Sequence, residues 1–135
     1  IPEECKTMTS DKKIVFSEKR SKICFLNKKQ KSICKVIVDG CAITEGQRCD
    51  YLLITEESVE HFIELKGHDI KKAITQIERT IMKLSSEAKN LHKFSYIITT
   101  RCPLLTPQIQ ALKKHFKNKY NSQLLIKNIY GEYTI

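Results

Sequence analysis

No apolar run in this 135-residue chain approaches the roughly 20 residues that a membrane-crossing helix needs, and the opening Ile1-Pro2-Glu3-Glu4 lacks a secretory signal pattern. These absences set aside a helical membrane protein and predict a cytoplasmic one with no membrane among its partners. Glycine numbers only four, no Gly-rich phosphate loop or G-x-S-x-G occurs, and no cysteine and histidine stand at a persuasive catalytic spacing. The six cysteines (Cys5, Cys24, Cys34, Cys41, Cys49 and Cys102) form no C-x-x-C pair, and several fall inside apolar strand-like runs, so they read as reduced and buried. Cys34, Cys41 and Cys49 are close in sequence, but their spacings match no common zinc motif. No internal repeat or linker is visible. The first residue is Ile1 rather than methionine, which suggests an upstream segment.

The length suits one domain spanning 1–135 with a single proper core, divided into a basic N-terminal arm and hairpin over 1–32 and a core over 33–135. Lysine and arginine total 24 against 15 acids, a formal charge of +9. That excess favours an anionic partner, nucleic acid before an acidic lipid surface.

Residues 1–13 carry no hydrophobic period and read as a loosely held arm or a short helix beginning near Pro2. Ile14-Val15-Phe16 and Ile23-Cys24-Phe25-Leu26 predict a hairpin, followed by the basic turn Asn27–Lys31. A β-branched run, Ser32–Val38, stops at Asp39-Gly40, a strong turn signal. Tyr51–Ile54 and His61–Ile63 are strand-like runs joined by the turn Thr55–Ser58, hence antiparallel neighbours. After Gly67 the period becomes helical, with Ile70, Ile74, Ile77, Ile81, Leu84, Ala88 and Leu91 on one stripe and Asp69 placed as the cap. Phe94–Thr100 predicts a strand, and Thr106-Pro107 opens a second helix with Ile109, Leu112 and Phe116 on one face. Leu124–Ile126 and Ile129-Tyr130 end the chain as a strand turning at Gly131. The pattern is a mixed α/β (α+β) fold, a central sheet flanked by helices with an N-terminal basic β-hairpin.

Asp50 and Glu64-Leu65-Lys66 stand at the ends of two consecutive strand-like runs. Residues two apart in a strand share a face, so Phe62, Glu64 and Lys66 point one way while Ile63 and Leu65 point the other. If the two strands are antiparallel, Asp50 is a neighbour of Glu64 and Lys66. Two such carboxylates can share Mg²⁺, with the Leu65 carbonyl and waters completing the shell, and Lys66 can orient water or neutralise a pentavalent phosphorus. The plainer alternative is an exposed cross-strand charge cluster on a sheet edge.

Asp50, then Glu64-Leu65-Lys66, then a helix carrying Gln76, resembles the PD-(D/E)xK nuclease superfamily over residues 33–100. The resemblance implies a restriction-endonuclease-like αβββαβ core, metal-dependent hydrolysis of phosphodiester bonds in DNA by an endo- or exonuclease, and Mg²⁺ or Mn²⁺ held by Asp50, Glu64 and Leu65. It implies that Lys66 assists the attacking water and that Gln76 orients Lys66 or a phosphate, in a role such as phage defence or DNA repair. Cutting both strands would take a homodimer. The motif proline is Cys49 here, and the tyrosine that follows the glutamine in the recB-like branch is Thr80. The competing reading keeps the nuclease fold without catalysis, as a module that binds nucleic acid or a protein, and RNA stays open beside DNA.

Lys19, Arg20, Lys22, Lys28, Lys29 and Lys31 crowd the N-terminal hairpin and are candidates for sequence-indifferent phosphate contacts; the alternative is a lysine-rich edge that discourages sheet-to-sheet aggregation. His68 follows Gly67 and could reach a phosphate, whereas His61, on the face opposite Glu64, reads as a packing residue. Lys71, Lys72, Arg79 and Lys83, like Lys113, Lys114, Lys117 and Lys119, read as solvated helix faces.

Overall fold

The computed structural model describes residues 1–65, 67–89, 91–101 and 105–135, so Lys66 and Cys102 lie outside the described residues. After a 3-10 turn at Glu3–Cys5 the strands are β1 (Lys6–Thr9), β2 (Lys13–Glu18), β3 (Ser21–Leu26), β4 (Ile33–Ile37), β5 (Tyr51–Ile54) and β6 (Glu60–Leu65). Helix α1 (Ile70–Leu84), β7 (Lys93–Thr99), α2 (Thr106–Tyr120), β8 (Ser122–Asn128) and β9 (Tyr130–Thr134) follow. Among the described residues the result is a mixed α+β fold with two α-helices and two mixed sheets.

The larger sheet has the order β1-β4-β5-β6-β7-β8, antiparallel from β1 to β6 and parallel from β6 to β8. The two parallel joins are the ones bridged by α1 and α2, as a same-direction return requires a crossover. The smaller sheet, β2-β3-β9, combines the expected hairpin with the C-terminal strand, which runs parallel to β3.

Alternation along the central strands divides the core in two. On one face Val36, Leu52, Phe62, Ile97 and Leu124 pack against Ile70, Ile74, Ile77 and Ile81 of α1 and Phe116 and Tyr120 of α2. On the other face Leu53, Ile63, Leu65, Tyr96 and Ile98 pack against Ile14, Phe16, Ile23 and Phe25 of the small sheet. The molecule is thus layered as small sheet, large sheet, helices, and β6 is buried on both faces along its whole length.

Four expectations need correction. The N-terminal arm starts with the short helical turn expected near Pro2, at Glu3–Cys5, but continues as strand β1, paired Lys6↔Val36 to Thr9↔Ile33; its sequence Lys-Thr-Met-Thr has no buried face to betray a period of two, and Met8 is exposed. The cysteines are not all reduced: Cys5 and Cys41 form a disulfide with Cα atoms 5.7 Å apart, because the β1–β4 pairing brings the start of β1 beside the turn that follows β4. Cys24, Cys34 and Cys49 are free. Helix α1 stops at Leu84 rather than reaching Leu91. The buried Glu60 carboxylate accepts hydrogen bonds from Ser85 Oγ (2.5 Å) and the Ser86 backbone N–H (3.0 Å), and this tertiary anchor overrides the apolar stripe, although Ala88 still packs on the core. The final turn falls at Ile129, which takes a left-handed φ of 68° where the chain passes from the large sheet to the small one, and not at Gly131. Gly131 lies inside β9, where a Cβ would come within 2.9 Å of both Ile98 Cδ1 on the large sheet and Tyr133 Cε2 on its own strand, so any larger residue must displace these side chains.

Candidate functional site

The strand register places Asp50 beside Glu64 by backbone geometry. Tyr51 pairs with Ile63, and the Asp50 N–H donates to the Ile63 carbonyl (3.1 Å), so Asp50 continues β5 by one residue opposite the end of β6. Its carbonyl accepts from the N–H groups of Val38 (3.1 Å) and Asp39 (3.2 Å), and its Oδ2 accepts from the Leu65 N–H at 2.7 Å. Asp50 and Glu64 are 8 % and 6 % exposed, deep enough that surrounding charges act on them with little screening by water.

Both carboxylates line one cavity of about 450 Å³ with Leu65, Gly67, His68 and Gln76. Lys19 and Arg20 reach it from the tip of the β2–β3 hairpin, and Lys72 from the first turn of α1. Gly67 fits closely where the chain leaves β6, because a Cβ would stand 3.1 Å from Ile97 Cγ2 and push that side chain aside by a few tenths of an ångström. Asp69 caps α1 as expected, accepting from the Lys72 N–H at 3.1 Å.

Of the residues singled out from sequence, Asp50, Glu64, Leu65, Gln76, His68, Lys19 and Arg20 converge on this cavity. Lys66 lies outside the described residues. The Gln76 Nε2 donates to the Arg48 carbonyl at 3.1 Å, which ties α1 to the residue two before Asp50. Thr80 locks the same stretch, since its Oγ1 accepts from the Cys49 N–H (2.8 Å) and donates to the Gln76 carbonyl (2.8 Å). Burial pushes the Cys49 thiol up to about 12, so it stays protonated and serves as packing.

Lys22, Lys28, Lys29 and Lys31 are not among the residues that line the cavity. Lys28, Lys29 and Lys31 follow β3, at the end of the hairpin opposite Lys19 and Arg20, and Lys31 is ion-paired with Glu57. Lys22 is exposed on β3 next to the tip. Sequence reasoning missed Asp39, Lys72 and Thr100 as cavity residues. Lys72 carried one usable signal, its place three residues after the capping Asp69; Asp39, ion-paired with Arg48 at 2.7 Å, carried only its turn-forming glycine neighbour.

Among the described residues no three histidine, cysteine, aspartate or glutamate side chains converge as a ready-made metal cluster. A zinc centre on Cys34, Cys41 and Cys49 is incompatible with the Cys5–Cys41 disulfide. Two carboxylates lining one polar recess do suit a hard cation such as Mg²⁺, which keeps several waters and takes one or two carboxylates from the protein. No protein family, curated protein or solved structure matches this chain.

Proposed function

We propose that the protein is a metal-dependent phosphodiesterase acting on nucleic acid, a nuclease with a PD-(D/E)xK-type site. The observation that carries this reading is the pairing of Asp50 and Glu64, two recessed carboxylates on adjacent strand ends, lining one cavity with Lys19, Arg20 and Lys72. Carboxylates alone would repel a phosphodiester, and cations alone would hold it without chemistry; the two together suit an ion-assisted displacement at phosphorus. The run β4–β5–β6–α1–β7 supports a restriction-endonuclease-like core, with a single 3-10 turn and β1 where a leading helix would be expected.

In this reading Asp50, Glu64 and the Leu65 carbonyl hold Mg²⁺ or Mn²⁺, which supplies Lewis acidity toward water and the phosphodiester. The Leu65 N–H keeps the Asp50 carboxylate aimed, and Gln76 and Thr80 fix the backbone of Arg48 and Cys49 that precedes it. Lys66 is assigned to assisting the attacking water by its place in the motif. The test is cleavage of linear, nicked and branched DNA and of RNA with Mg²⁺ or Mn²⁺. Asp50→Asn, Glu64→Gln and Lys66→Ala are each expected to lower the rate by at least about 100-fold, the scale of losing a preorganised charge in a recessed site. Equal activity in wild type and all three variants, or none in any, refutes the assignment.

A further inference from the structure

The cavity also has a shape and a charge layout that narrow its substrate. Its floor is the Asp50–Glu64 pair at the end of β5 and β6, and its walls come from different layers of the fold. Lys19 and Arg20 stand on the small-sheet side, and His68 and Lys72 on the helix side. The first wall is braced: Glu18 pairs with Ser21, Lys19 takes a left-handed φ of 49° to close the tip, and Tyr51 Oη donates to Glu18 Oε1 at 3.3 Å while its ring lies 4.6 Å from that of Phe16. The hairpin tip is therefore held against the strand that leads from Asp50.

Of the other acids of the cavity, Asp39 is ion-paired with Arg48, and Asp69 accepts from the Lys72 amide at the head of α1 and keeps its charge. Exposed Lys19 and Arg20 on one side and exposed Lys72 on the other line a cleft whose floor carries Asp50 and Glu64. No Phe, Tyr or Trp is among the described residues lining it, so these residues offer no platform on which bases stack. Their grip acts on phosphates, which carry charge and no sequence information.

Building on the phosphodiesterase reading, we propose that the cavity takes a single-stranded polynucleotide segment, held by its phosphates between the Lys19–Arg20 tip and Lys72. A cavity of about 450 Å³ admits a flexible strand, whereas a stiff duplex offers it only the phosphates that project from its surface. Base identity is not read.

Binding is measured by fluorescence anisotropy without divalent metal on the full chain carrying Asp50→Asn and Glu64→Gln, which removes floor repulsion and cleavage together. The probes are a labelled single-stranded oligonucleotide and the same sequence as a duplex, over a series of salt concentrations. The single strand is expected to bind about tenfold more tightly, and two single strands of different sequence equally well. Adding Lys19→Ala and Arg20→Ala should flatten the slope of log affinity against log salt by about 1.4, two contacts at about 0.7 each. The charge-matched pair Lys113→Ala and Lys114→Ala, on α2, should leave the slope unchanged. Equal or tighter duplex binding, a marked sequence preference, or equal slope changes for the two pairs overturns the proposal. The two readings fail separately: binding as expected with a catalytically inert wild type refutes the phosphodiesterase and leaves the clamp, while cleavage that prefers duplex does the reverse.

Discussion

Breaking the Cys5–Cys41 bond is expected to remove about 4 kcal/mol of stability. The two cysteines are separated by 36 positions, and closing a loop of that length in the unfolded chain lowers its entropy by about 2.1 + 1.5R ln 36, near 13 cal/mol/K, or about 4 kcal/mol at 25 °C. The native side adds little to oppose this, since the turn that holds Cys41 is already braced by the Cys41 and Ile43 N–H groups on the Val38 carbonyl and by the Ala42 N–H on that of Ile37. At roughly 4 °C per kcal/mol for a chain of this size, the melting temperature should fall by about 15 °C. The assay is thermal unfolding followed by circular dichroism for wild type with and without reductant and for Cys5→Ser/Cys41→Ser. Hydrogen exchange should find the extra opening in β1, whose polar strand holds the sheet edge by backbone pairing beside this link. A shift under about 3 °C, or six free thiols in the oxidised protein after denaturation, refutes the reasoning.

The remaining predictions concern a histidine and a carboxylate. His61 is buried with its Nδ1 2.8 Å from Tyr96 Oη and its ring stacked on Phe94, and burial first, then His92, lowers its pKa to about 4 from an ordinary 6.5. The unfolded chain takes up that proton first, so stability falls with acidity from pH 6.5 to about 4, by about 3 kcal/mol at 1.36 kcal/mol per unit. Urea unfolding across this range checks it, and a His61→Phe profile as steep as that of wild type would refute it. At Asp50 the expected contrast is between two substitutions. Asp50→Ala strands the buried Leu65 N–H and should cost about 1–3 kcal/mol, whereas Asp50→Asn keeps an acceptor and should unfold within about 1 kcal/mol of wild type; equal losses would refute the hydrogen-bond account.

The sequence disclosed what periodicity and polarity can encode. Strands β2 to β7 stand out as apolar or alternating runs, α1 as a stripe of isoleucines with Asp69 at its head, and the antiparallel β5–β6 pairing follows from the short turn between them. The co-facial pairing of Asp50 with Glu64 was legible for the same reason, since the pleat and a tight turn leave one register. What stayed hidden depends on contacts distant in sequence. Strand β1 has no apolar face to announce it, the end of α1 is set by Glu60 across 25 positions, and the parallel pairing of β9 with β3 joins opposite ends of the chain. The lysine cluster divides for a related reason. Lys19 and Lys28 look equivalent in sequence, yet six residues of strand carry them to opposite ends of a hairpin, and only the first reaches the acids.

The two halves of the site are built to different standards of rigidity, and this bears on how it would work. Asp50 has its N–H, its carbonyl and its carboxylate all engaged by backbone groups, on a strand beside one that is buried on both faces, so it cannot move without disturbing β5, β6 and the turn after β4 together. Glu64 shares that strand and that burial. Lys19, Arg20 and Lys72 are instead exposed side chains on well-held backbone, with several rotatable bonds between the anchor and the charge. Ion coordination tolerates little positional error, so rigid acids suit it; phosphates along an irregular strand vary in position, so adaptable cations suit them. Substitutions at the floor should therefore act on the chemical step, and substitutions at the walls on affinity and its salt dependence, which separates the two by kcat against KM.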